Sequence, residues 1–86
     1  MSDPMAAFRA RFLDRCRSEL PILRDAAHPD FRKTVHGLNC AAGTFGFPEI
    51  SALAEPVDEA LAVGRAPDPA DIEKLIAAVE AALRPA

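Results

Sequence analysis

The sequence predicts an all-α fold, an antiparallel up-and-down four-helix bundle with a kinked or split first helix, as a single domain over residues 1–86. Three observations predict it. Half of the residues are apolar, and these are dominated by Ala and Leu with no Trp or Tyr, a composition of helix formers. Apolar residues recur at steps of three and four, never in a sustained alternation of two. Prolines and glycines cut the chain into four such stretches joined by short connections, which favour antiparallel neighbours.

The first element opens at Asp3-Pro4, an N-cap residue followed by proline in the first turn, where its missing N–H costs nothing. Met5, Phe8, Phe12, Leu13, Cys16 and Leu20 then form one stripe. Pro21 is expected to kink or break this helix, leaving a short piece around Ile22 and Leu23 before the turn at His28-Pro29-Asp30. The second helix is expected from an N-cap near Asp30 to about Phe45, with Gly46 as its stop. Pro48 starts the third, which carries Ile50, Leu53, Val57 and Leu61 and ends at Gly64, with a local disturbance at Pro56. Pro67-Asp68-Pro69 repeats the cap-and-proline signal, and Ile72, Leu75, Ile76, Val79 and Leu83 mark the last helix.

Composition excludes several roles. A net charge of -3 gives no concentrated basic face for nucleic acid. Arg9, Arg11, Arg15 and Arg17 cluster, but Asp14 and Glu19 interleave with them, as on a solvated helix face. No apolar run approaches the roughly 18 residues that cross a bilayer, and no charged start followed by an apolar stretch suggests secretion. The expectation is a cytoplasmic monomer. Cys16 and Cys40, without CxxC spacing, read as reduced thiols.

Helix angles single out His36. At about 100° per residue, Phe31, Val35, Leu38, Ala42 and Phe45 fall within about 80° of one another and form the core stripe of the second helix. His36 lies about 140° from the centre of that stripe, facing solvent. Arg32 and Gly43 share its line, Lys33 and Cys40 flank it on one side, and Asn39 on the other. Its neighbours are small. Each glycine inside a helix costs about 1 kcal/mol relative to alanine, so Gly37 and Gly43 need a reason, either close packing or access for a partner. Arg32 and Lys33 supply positive charge where an anion would sit.

The run His36-Gly37-Leu38-Asn39-Cys40-Ala41-Ala42-Gly43-Thr44-Phe45-Gly46 resembles the signature of histidine phosphotransfer (HPt) domains, usually HxLKGxAxxxG. Ile50, Leu53 and Val57, with Asp58 in place of a frequent Glu, fit the family's next helix, and the segment 42–47 is similar to a recurring variant of the signature. Two positions depart from it: Asn39 replaces a frequent Lys, and Cys40 a frequent Gly.

The resemblance implies a phosphorelay intermediate of the free-standing type. His36 would accept a phosphoryl group from a receiver-domain phospho-aspartate, or from a sensor histidine kinase, and pass it to another receiver. Arg32, Lys33 and Asn39 would stabilise the phosphoryl group, and Cys40, Gly43 and Phe47 would form the apolar part of the docking face. No cofactor or metal is expected on this chain, since the receiver would bring its own Mg²⁺. Neutral imidazole is a usable nucleophile near pH 7 and gives a transferable phosphoramidate.

Other readings are a module that docks a receiver or kinase without carrying phosphate, and metal binding through His36 and Cys40 with Cys16 or His28 as further ligands, where two ligands at helical spacing are too few to close a zinc site and the sequence places no third. His28 reads as a turn residue, and Phe47 also as an anchor at the end of the bundle.

Overall fold

The computed structural model describes residues 3–85 and is all-helical, with no strand among those residues. The helices are α1 (Ala6–Leu23), α2 (Phe31–Ala41), α3 (Pro48–Ala62) and α4 (Pro69–Leu83). They pack in a closed ring: α1 against α2 and α4, and α3 against α2 and α4. One cluster of buried side chains fills the middle, with Phe12, Cys16 and Leu23 from α1, Phe31, Val35 and Leu38 from α2, Ile50, Ala54 and Val57 from α3, and Leu75 and Val79 from α4. Fully burying a Val, Leu, Ile or Phe side chain contributes about 1.5–3 kcal/mol, so the apolar stripes hold the helices together.

α1 begins later than the sequence suggests. Asp3 Oδ1 accepts from the Met5 N–H at 2.8 Å, which makes a turn over residues 3–5, and the helix proper starts at Ala6. Of the kink or split expected at Pro21, the split does not occur. The helix runs through Pro21 to Leu23, because Leu20 and Leu23 pack on the core and hold the last turn in place. Pro21 itself is exposed, so the backbone carbonyl it leaves without a helical donor can reach water. α3 likewise continues without interruption past the exposed Pro56.

Gly64 ends α3 as expected. At Gly64, φ is +76°, and the N–H groups of Arg65 and Gly64 donate to Ala60 and Leu61 carbonyls at 2.8 and 3.2 Å. That paired pattern is the Schellman motif. Gly46, with φ +89°, repeats it: Phe47 N–H donates to Ala42 O at 2.8 Å and Gly46 N–H to Gly43 O at 3.2 Å. α2 itself stops at Ala41, short of the expected Phe45, and turns over residues 42–46 lead to Gly46.

Asp68 caps α4, its Oδ1 accepting from Ala70 N–H at 2.9 Å. Asp30 stands at the N-cap of α2, but its side chain makes no capping bond. The turn is held instead by His28, whose Nδ1 accepts from the Asp30 N–H at 3.0 Å. Three of the four α1 arginines are paired locally, Arg15 with Glu19 at 2.9 Å, Arg17 with Asp14 at 2.7 Å and Arg9 with Asp3, as expected of a solvated face.

Candidate functional site

α2 buries Phe31, Thr34, Val35 and Leu38 and turns the opposite face outward. His36 is on that face, its side chain 65% exposed. Its ring is nevertheless held in place. Nδ1 lies 3.0 Å from Oδ2 of Asp58 on α3, and Asp58 is only 14% exposed. The same carboxylate oxygen accepts from Asn39 Nδ2 at 2.9 Å. Asn39 is fixed in turn through its backbone carbonyl, which accepts from Ser51 Oγ at 2.6 Å. These three bonds stitch α2 to α3 around the imidazole, and among the described residues no buried side-chain polar atom lacks a partner.

Burial alone would raise the pKa of Asp58. The hydrogen bonds from Asn39 and His36 and the positive charge of Arg32 outweigh it and hold the carboxyl below its ordinary value of 3.8. An ionised carboxylate can only accept, so Nδ1 of His36 carries the proton in this bond. In the neutral ring Nε2 then holds the lone pair, turned away from Asp58 and in hydrogen-bond contact with the Cys40 thiol.

An open groove of about 510 Å³ runs beside the ring, lined by Pro29, Arg32, Lys33, His36, Asp58 and Ala62. It brings Arg32 and Lys33 together with His36, as expected from their spacing. On the other side, one turn on, the exposed Cys40 places Sγ 3.6 Å from Nε2. The arrangement offers a nucleophilic nitrogen, a fixed ring and two cations at one end of an accessible groove.

The remaining expected residues are distributed differently. The amide of Asn39 is committed to Asp58, so its effect on His36 runs through that carboxylate. Gly43 is exposed, and Ser51 Cβ lies 4.0 Å from where a Cβ on it would stand. Phe47 is half-buried and stacks on Phe12 with ring centres 5.5 Å apart, the anchor arrangement. Neither Gly43 nor Phe47 lines the groove. A Cβ on Gly37 would meet the guanidinium of Arg15 on α1, the tip of a flexible, exposed side chain that can move aside, so packing does not demand glycine there.

Asp58 is the site residue that sequence reasoning missed. A signal was present: it follows Val57 and lies one turn beyond Ala54, both fully buried, at the edge of the core stripe of α3. A carboxylate half-buried there requires donors. Among the described residues no group of three or more His, Cys, Asp or Glu side chains is gathered around a common point, and no helix is long and apolar enough to cross a membrane. Compared with known proteins, the chain matches no protein-family model, no curated protein and no solved structure.

Proposed function

We propose that this chain is a phosphoryl carrier of the histidine phosphotransfer type, built as an up-and-down antiparallel bundle. It accepts a phosphoryl group on His36 from a receiver-domain phospho-aspartate or a kinase and hands it to another receiver. The observation that carries the reading is the His36–Asp58 hydrogen bond on an otherwise exposed ring. An exposed histidine with no partner would turn freely. Here the ring is anchored at Nδ1, which leaves Nε2, beside the Cys40 thiol, as the nitrogen for attack on a partner's phosphoryl group.

The step balances within these residues and the partner. Nε2 attacks phosphorus, the P–O bond to the receiver aspartate breaks, and that carboxylate leaves. Asp58 stabilises the positive charge that develops on the ring through the Nδ1–H it already accepts. Arg32 and Lys33, at the groove, offset the negative charge of the incoming phosphoryl group. The Mg²⁺ of the transfer belongs to the receiver, and the carrier works in the cytoplasm as a monomer without a cofactor of its own.

The test is transfer from phosphorylated receiver domains of the same cell. The wild-type chain should acquire an acid-labile label on His36, and His36→Gln should acquire none. A wild type that stays unlabelled with every receiver refutes the carrier reading and leaves a docking module.

A further inference from the structure

His36 and Cys40 form a second arrangement that phosphoryl transfer does not use. They stand one helical turn apart on α2, both exposed, with Sγ 3.6 Å from Nε2. Tetrahedral zinc binds thiolate sulfur at about 2.3 Å and imidazole nitrogen at about 2.0–2.1 Å, which sets two such donors about 3.6 Å apart. The two side chains are therefore already spaced as one edge of a zinc coordination tetrahedron.

The surroundings supply a further, independent requirement. A histidine that ligates a metal usually donates its other ring N–H to a carboxylate, which fixes the ring and raises the basicity of the ligating nitrogen. Asp58 accepts from Nδ1 at 3.0 Å, so Nε2 is the nitrogen left to bind. Asn39 and Ser51 lock that carboxylate and the backbone of α2 behind it. Arg32 and Lys33 oppose a cation, but they line the groove on the N-terminal side of His36, one turn from it, while Cys40 follows on the C-terminal side. A Cys40 thiolate and the Asp58 carboxylate would bring two negative charges closer to the metal.

We propose that His36 Nε2 and Cys40 Sγ chelate a thiophilic divalent cation of the zinc class, and that this binding competes with phosphorylation at Nε2. Cys40 loses its thiol proton to solvent on binding, the Nδ1–H stays with Asp58, and solvent fills the two remaining positions. The chelate stands on geometry alone, and the competition rests on the carrier reading. Zinc then acts as a brake on the relay by masking its nucleophile.

Cobalt(II) is the probe, because a thiolate ligand gives it a charge-transfer absorption in the near ultraviolet. The full chain titrated with cobalt chloride should show that band, and zinc chloride should abolish it. His36→Gln and Cys40→Ser should each remove it, whereas Cys16→Ala, at the buried thiol, should retain it. Asp58→Asn should weaken cobalt binding by about 10- to 100-fold. Zinc should also slow carbethoxylation of His36 by diethylpyrocarbonate, read by mass spectrometry. No band in the wild type, a band that persists in His36→Gln, or unchanged carbethoxylation with zinc overturns the proposal. A cobalt band in a chain that no receiver labels supports the chelate and sinks only the carrier reading.

Discussion

Asp58 and His36 lie twenty-two positions apart, on different helices, and meet with Asp58 Oδ2 3.0 Å from His36 Nδ1. The contact joins an almost covered carboxylate to a mostly exposed ring, and Asn39 shares the same oxygen at 2.9 Å. It decides which nitrogen of the ring is available.

Removing the carboxylate should disorder the nucleophile without unfolding the bundle. Asp58→Ala is expected to slow phosphorylation of His36 by about 10- to 100-fold, the scale of a misplaced reacting group. Stopped-flow transfer should show the loss in the maximal rate more than in the receiver concentration needed for half-saturation. Loss only in the latter would make Asp58 a docking residue.

The same carboxylate carries a pH signature. Its pKa is depressed in the folded protein, so its contribution to stability is present above pH 3.8 and is lost as pH falls through the lower folded value. Urea midpoints across acid pH should therefore fall less steeply in Asp58→Asn than in the wild type.

Bulk just past the C-terminal end of α2 tests the proposed docking face. Gly43→Trp should block transfer from a receiver while leaving helical circular dichroism unchanged, because Gly43 is exposed and nothing closer than Ser51 Cβ confines it. Transfer at the wild-type rate would place the partner elsewhere.

The two thiols should separate chemically. Burial, and then the charge of Glu19, push the Cys16 thiol from 9.0 up to about 11, while Arg15 opposes the shift. Cys40 is exposed. At pH 8 a thiol reagent should label Cys40 first, and Cys16 only as the protein opens. Because the folded pKa of Cys16 is raised, its contribution to stability is full below pH 9.0 and is lost as pH rises towards about 11. Cys16→Ala should flatten the alkaline fall of the urea midpoint.

Leu38 is fully buried behind the face that carries His36. Leu38→Ala should cost about 2–5 kcal/mol, measured by urea unfolding. A cost below that range would mean that the core collapses around the gap.

Much of the fold was legible because its signals are local. The 3–4 spacing of Phe31, Val35 and Leu38 marks a buried face whichever helices cover it, and all three are buried. Asp68 before Pro69 and Gly64 after α3 act within a few residues, so their caps could be read in order. Pro21 could not be read this way. Local propensity favours a break, but Leu20 and Leu23 pack on the core, and that burial outweighs the lost hydrogen bond.

For the site the division is sharper. The sequence by itself determined that His36 faces solvent, with Arg32 and Lys33 before it and Cys40 after it, because one helix repeat sets all four. Only the tertiary structure decided that Asp58 reaches Nδ1, that Asn39 serves the carboxylate, and that the Arg15 guanidinium of α1 lies against Gly37. Those relationships join side chains from different helices, so they depend on how α1, α2 and α3 pack, which no spacing along a single helix encodes.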